Sequence, residues 1–176
     1  MTEGCTHKVP SRLILLRHAK SDYPPGVADH DRPLNDRGRR DANAAGAWMQ
    51  DHREELLTGE VVALVSSAVR AQETWALVAA HLTGVTAHTE SRLYESACST
   101  LMQVADSTVA DTVIIVAHNP TLEETTLFLA APGGLGLTER VRGKYPTCGL
   151  AVLDLAHEDR WSSGSADLAA FEVPRG

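Results

Sequence analysis

Cysteine is scarce in this chain and is not arranged for a metal or a disulfide framework. Its three cysteines, Cys5, Cys98 and Cys148, are widely spaced and include no Cys-x-x-Cys pair. No arginine stands at the spacing that a cysteine-based phosphatase loop needs. We therefore predict free thiols in a reducing cytoplasm.

Long apolar runs and an excess of positive charge are also missing. No run approaches the ~20 residues that span a bilayer, and the segment 1–11 has no apolar signal core. Acidic residues outnumber Lys and Arg by 23 to 16, which gives a net charge of −7. This balance argues against nucleic acid or an acidic membrane as partner, and it confines any anion site to a local basic pocket. We expect a cytoplasmic protein.

The chain alternates predicted strands with predicted helices. Its 176 residues, 43% of them hydrophobic, suit one domain, which we place at 12–176 after a flexible lead-in at 1–11. Turn-rich residues at 131–147 predict a long loop. The order indicates an α/β fold, a three-layer α/β/α sandwich around a mostly parallel sheet in which one or two final strands could be antiparallel. Strands are predicted at 12–17, 61–65, 85–90, 111–117, 149–155 and 166–173.

Helix caps are predicted from polar residues that precede the apolar stripes. Asn35 is placed at the start of a helix that runs to about Leu57, and Ser66-Ser67 at the start of the next. Asn119 is expected to cap a later helix, with Pro120 in its first turn.

Basic residues follow three of the predicted strands. Arg17-His18 comes after the first strand, Arg70 after the second and His118 after the fourth. The carboxyl ends of parallel strands meet at one edge, where open α/β sheets bind ligands. A neutral imidazole is a nucleophile, and a guanidinium can bind two phosphoryl oxygens at once. The pattern predicts a phosphate site that needs no metal or other cofactor, because fixed cations supply the charge.

Five motifs make the chemistry more specific. Together they resemble the histidine phosphatase superfamily, and most closely its small SixA-type phosphohistidine phosphatases, whose fold is phosphoglycerate mutase-like. The motifs are Leu16-Arg17-His18-Ala19-Lys20-Ser21, Asp31-Arg32-Pro33-Leu34, Arg37-Gly38-Arg39-Arg40, Ser66-Ser67-Ala68-Val69-Arg70-Ala71-Gln72-Glu73-Thr74 and Val116-Ala117-His118-Asn119-Pro120.

The resemblance implies a role for each matching residue. His18 becomes the transiently phosphorylated nucleophile, and Arg17, Arg70 and His118 bind the phosphoryl oxygens. The family also uses a carboxylic acid to protonate the leaving group. Glu95 is our first candidate for that acid and Asp22 the second.

Other functions and other sites are also compatible with the sequence. A non-catalytic phosphate-recognition module and a phosphomutase are the alternatives to a phosphatase. The short segment between Glu95 and the fourth strand predicts an open site. An open site favours a phosphorylated protein side chain as substrate, and a small phosphorylated metabolite also fits.

The Asp29-His30-Asp31 segment contains residue types that bind metals, but the sequence has no second cluster with the spacing of metal ligands. We interpret Arg37 and Lys144 as solvated surface charges, although Lys144 could touch substrate.

Overall fold

Two apolar runs form the centre of the sheet in the computed structural model, which describes residues 9–132, 136–156 and 160–176. Every residue from Leu13 to Leu16 and from Val113 to Ala117 is fully buried, as expected for strands covered on both faces. The strands are β1 (Arg12–Arg17), β2 (Val61–Ser66), β3 (Thr86–Glu90), β4 (Thr112–Ala117), β5 (Leu150–Leu155) and β6 (Ala166–Glu172).

The sheet order is β3-β2-β4-β1-β5-β6. Neighbouring strands among the first four are parallel, whereas β5 pairs antiparallel with β1 and β6 pairs antiparallel with β5. The mostly parallel sheet is confirmed, and β5 is the antiparallel strand that the sequence left open.

Helices cover both faces of this sheet. Alternate residues of β1 point to opposite faces, so Leu13 and Leu15 pack in one core while Ile14 and Leu16 pack in the other. The helices are α1 (Asp36–Asp51), α2 (Arg53–Leu56), α3 (Val69–Ala79), α4 (Cys98–Asp106), α5 (Thr121–Leu129) and α6 (Leu137–Gly143). The first core includes α4, α5 and α6, and the second includes α1 and α3. This arrangement confirms the three-layer sandwich.

The helix starts follow the sequence only in part. Asn35 caps α1, because its side chain accepts a hydrogen bond from the Gly38 N–H at 2.9 Å. The predicted Ser66-Ser67 cap is wrong: Ala68 occupies the cap of α3 and provides no side-chain bond. The Asn119 cap is also wrong, since the Asn119 amide donates to Glu123 instead, and Pro120 precedes the first helical residue of α5.

Two predicted segments differ in extent. The helix expected to reach Leu57 is divided at His52 into α1 and α2. The loop expected at 131–147 contains α6, whose Val141 is fully buried against the sheet. Of the predicted lead-in, residues 1–8 lie outside the described residues, and the Ser11 N–H donates to the Asp111 carbonyl at 3.0 Å.

Candidate active site

The parallel register of β1 and β4 brings two histidines together. Arg17 pairs with Ala117 at the carboxyl ends of these neighbouring strands, so the next residue of each strand, His18 or His118, leaves the sheet at the same edge. Their ring centroids are 5.0 Å apart and the rings are tilted by 53°. The first turn of α3, which follows the adjacent strand β2, brings Arg70 to the same edge.

His18 is held as a neutral ring whose Nε2 carries no proton. Its Nδ1 lies 2.7 Å from the Ala19 carbonyl, so Nδ1 carries the proton and donates, and Nε2 keeps its lone pair. The Arg70 Nε–H donates to that Nε2 at 3.3 Å. Burial is the main cause that lowers the pKa of His18 to about 3, and the positive charges of Arg70 and Arg17 contribute, whereas the hydrogen bond to the Ala19 carbonyl acts in the opposite direction. Only the neutral form can act as a nucleophile.

His118 is the second neutral histidine of the site. Its Nε2 lies 2.8 Å from the Ser66 hydroxyl oxygen, which explains why Ser66 is not a helix cap. Its Nδ1 is buried and has no hydrogen-bond partner among the described residues. Burial lowers the pKa of His118 to about 4, and the positive charge of Arg70 contributes.

Both rings are therefore expected to stay neutral well below the usual histidine range. At pH 5.5 an ordinary imidazole, with a pKa of about 6.5, is about nine-tenths protonated. With pKa values of about 3 and about 4, His18 and His118 should instead show the nitrogen shifts of neutral rings in a pH titration by NMR. A midpoint near pH 6.5 for His18 would contradict its burial and its proximity to Arg17 and Arg70.

Arg70 is oriented by a carboxylate that sequence analysis did not assign to the site. Asp29 accepts from Arg70 Nη1 through its carbonyl at 2.5 Å and from Nη2 through its side chain at 3.0 Å. The Asp29 carboxylate also accepts from the Tyr94 hydroxyl at 3.0 Å and from Arg32 at 2.5 Å. Desolvation alone would raise the pKa of Asp29, but these hydrogen bonds and the charge of Arg70 outweigh it and lower the pKa to about 2. These contacts fix the Arg70 guanidinium with its Nε toward His18.

Arg17 is anchored through a backbone carbonyl. Its Nη1 donates to the Tyr145 carbonyl at 2.5 Å, and the Asn119 amide donates to the same oxygen at 3.4 Å. Burial lowers the pKa of Arg17, opposed chiefly by the negative charge of Glu123. Its Nε is buried and has no hydrogen-bond partner among the described residues. We call Arg17, His18, Arg70 and His118 the phosphoryl cradle, after the role that the family resemblance implies for them.

An open cavity of about 320 Å³ lies on the Arg70 side of the cradle and contains three carboxylate residues. We call it the catalytic cavity because Glu95, the first candidate acid, lines it. Glu95 lines it together with His118 and Arg70, whereas Asp22 is not among its lining residues. Asp22 is exposed, and its carboxylate accepts from the Tyr23 N–H at 2.9 Å. The lining residues are Asp29, Arg70, Tyr94, Glu95, Ser96, His118, Asn119, Pro120, Thr121 and Glu124.

The Asp29-His30-Asp31 segment forms a single 3₁₀ turn beside this cavity. His30 interacts with the Asp31 carboxylate at 2.9 Å and with the Ser67 hydroxyl at 3.0 Å. Within residues 9–132, 136–156 and 160–176, no group of three or more His, Cys, Asp or Glu side chains is arranged to hold a metal ion. No helix in the same part of the chain has the length and apolar character needed to cross a membrane.

Comparison with known proteins identifies the class to which this fold and site belong. The sequence model of the histidine phosphatase superfamily (branch 1) matches residues 13–110. The chain therefore belongs to the histidine phosphatase superfamily, and this membership supports a phosphatase.

Among individual relatives, an uncharacterised protein of Mycobacterium tuberculosis is 41% identical over 91% of this chain and 100% of its own length. A second, from Mycobacterium leprae, is 39% identical over 91% of this chain and 100% of its own length. A solved candidate phosphohistidine phosphatase SixA from Agrobacterium tumefaciens is 29% identical with a TM-score of 0.78, over 94% of this chain and 99% of that one. The corresponding protein from Nakamurella is 27% identical with a TM-score of 0.77, over 93% of this chain and 95% of that one. These neighbours match the SixA-type branch.

Proposed function

We propose that this protein is a metal-independent phosphatase that forms a transient phosphohistidine on His18. The observation that carries the proposal is the geometry of His18, whose Nδ1 is bound to a carbonyl at 2.7 Å while its Nε2 meets Arg70 at 3.3 Å. A site that only binds phosphate needs cations, but it does not need a neutral, oriented imidazole at its centre. A histidine that attacks phosphorus must be both neutral and oriented toward it.

The reaction follows from these positions. Arg17, Arg70 and His118 bind the phosphoryl oxygens and stabilise the charge that develops on them in the transition state. His18 Nε2 forms a bond to phosphorus as the bond from phosphorus to the leaving group breaks. Glu95 in its acid form gives its proton to the leaving atom. Water then attacks phosphorus and gives a proton to the Glu95 carboxylate, while the bond from phosphorus to Nε2 breaks; this releases inorganic phosphate and restores the neutral ring and the acid.

The substrate that we propose is a phosphorylated protein side chain, phosphohistidine above all, with an accessible small phosphoester as the other candidate. α4 is the only helix between Glu95 and β4, so that segment has little chain with which to cover the catalytic cavity. An uncovered site accepts a phosphoryl group carried on a large molecule and encloses a small one poorly. The SixA designation of the two solved neighbours supports the same class of substrate.

Activity is expected to survive excess chelator. The charges of the cradle belong to fixed side chains, so the removal of divalent ions should leave turnover of an aryl phosphate unchanged. Vanadate should inhibit, because it adopts the five-coordinate geometry of phosphoryl transfer and transition-state mimics bind tightly. The measurement is steady-state hydrolysis with and without each reagent. Loss of activity in chelator that a divalent ion restores would refute metal independence, and phosphate binding without turnover would favour a recognition module.

A further inference from the structure

A second cavity, of about 310 Å³, lies beside the cradle and is strongly basic. We call it the cationic cavity. Five of its seven lining residues are Lys or Arg and none is acidic, although the chain as a whole carries a net charge of −7. Arg17 belongs both to this cavity and to the phosphoryl cradle. The lining residues are Arg17, Lys20, Arg37, Lys144, Pro146, Thr147 and Arg175.

These cations come from distant parts of the chain, and backbone contacts place Lys20 and Arg175. Lys20 follows His18 by two residues, and its carbonyl accepts from the Asn35 N–H at 3.0 Å, which holds it beside the start of α1. A side chain at Gly38 would place its Cβ 2.1 Å from that same carbonyl, so glycine permits the close approach. Arg175 donates to the Thr147 carbonyl at 3.0 Å.

The charge of the cationic cavity is only partly balanced by the protein. Asp41, with a side chain 1% exposed, lies 3.5 Å from Arg37 and 2.8 Å from Arg175. Among the described residues, Asp41 is the acidic residue that forms ion pairs with the cations of this cavity. Lys20 and Lys144 form no ion pair within the described part of the chain, and Lys20 lies 5.8 Å from the Tyr23 ring centre. Unpaired cations around a concavity attract an anion.

The two cavities thus differ in the charge of the residues that line them, and each adjoins a different part of the cradle: the catalytic cavity adjoins Arg70 and His118, and the cationic cavity adjoins Arg17. The catalytic cavity holds Asp29, Glu95 and Glu124, which disfavour an additional negative charge on the substrate there. The cationic cavity has the opposite preference and shares Arg17 with the cradle. We propose that it is a substrate subsite that binds a second anionic group, a carboxylate or a phosphate, on the molecule that carries the scissile phosphoryl group. This inference rests on the proposed phosphatase function.

A pair of matched substrates tests the subsite directly. The first is an aryl phosphate bearing a carboxylate, and its partner bears the isosteric carboxamide. The unchanged protein should show a kcat/KM ratio of roughly 5- to 20-fold in favour of the carboxylate, mostly through KM, as two charge pairs near the surface typically provide. In the Lys20→Gln/Lys144→Gln double variant the ratio should fall to about 1. Added salt should also reduce the ratio in the unchanged protein.

Two further arms give the source of the anion and control for net charge. Phosphohistidine peptides with flanking Glu or Gln repeat the comparison on a protein-like substrate. If the kcat/KM ratio of anionic to neutral substrate is larger for the peptides, the second anion belongs to an acidic protein segment. If it is larger for the aryl phosphates, the second anion belongs to a small molecule. The Arg92→Gln/Arg142→Gln double variant removes two positive charges from exposed residues outside the cavity, and it should keep the ratio of the unchanged protein.

The outcomes separate this inference from the proposed function. Turnover with equal kcat/KM for carboxylate and carboxamide in both arms would overturn the subsite and leave the phosphatase intact. A preference that persists in the Lys20→Gln/Lys144→Gln variant would also overturn it. No turnover of any substrate, together with no phosphoenzyme, would refute the phosphatase and the subsite with it.

Discussion

His18→Ala is expected to lower kcat/KM for an aryl phosphate by roughly 10⁴-fold or more, in line with the removal of other catalytic nucleophiles. The variant keeps Arg17, Arg70 and His118 and can still bind phosphate, but it has no atom in the position of Nε2 to accept the phosphoryl group. Steady-state hydrolysis measures the loss. Thermal unfolding of the same preparation shows whether the fold is retained.

His88→Ala is the matched control for this experiment. His88 is an exposed residue of β3, outside both cavities, and its replacement should leave turnover unchanged. A folded His18→Ala protein that retains more than about one-tenth of the original kcat/KM would show that His18 is not the nucleophile, since loss of a covalent catalyst costs far more.

Glu95→Gln is expected to lose roughly 10²–10⁴-fold on alkyl phosphates while nearly sparing an activated aryl phosphate. A general acid matters most when the departing oxygen is a poor leaving group. An acidic phenol departs as an anion without help. Glu95 and His118 both line the catalytic cavity, in which we propose that the leaving group lies. The measurement compares kcat/KM for both substrates in the variant and in the unchanged protein.

Asp22→Asn provides the comparison, because Asp22 is exposed and does not line the catalytic cavity. It should behave like the unchanged protein on both substrates. If Asp22→Asn instead shows the selective loss on alkyl phosphates, the acid role moves to Asp22. Small equal losses in both variants would exclude both carboxylates, and would fit a leaving imidazole protonated by water or by His118.

The cradle could be predicted from the sequence because its residues follow buried strands. Four consecutive apolar residues before Arg17, and a similar run before His118, indicate strands that end at those positions. Parallel strands then share an edge, so the sequence already predicts that both histidines lie together. Their 5.0 Å separation follows from the register of β1 and β4, which hydrophobic pattern alone does not determine.

Contacts between distant segments could not be predicted in this way. Asp29 lies in a proline-rich stretch whose pattern indicates only a surface loop, and its bonds to Arg70 depend on how that loop folds over α3. The cationic cavity has the same origin. Arg37 and Lys144, interpreted from the sequence as solvated charges, converge with Arg17 only when α1 and the end of α6 are packed around the sheet.

The helix starts after β2 and β4 could not be predicted for a different reason. Ser and Asn favour helix caps through their side-chain oxygens, but the same groups can bind elsewhere when a stronger partner is near. Ser66 contacts His118 at 2.8 Å and the Asn119 amide donates to Glu123 at 3.1 Å. At both positions, contacts within the site took precedence over the local preference.

Trapping the phosphoryl group on the enzyme tests the central claim most directly. Turnover of a labelled substrate, quenched rapidly without acid and analysed by peptide mapping, should show one phosphate on the peptide that contains His18, bound through Nε2, labile in acid and stable in alkali. The adduct should be absent from His18→Ala and present, with slower turnover, in His118→Ala. A phosphoryl group found on any other residue, or an adduct that persists in His18→Ala, would contradict the assignment of His18 as the nucleophile.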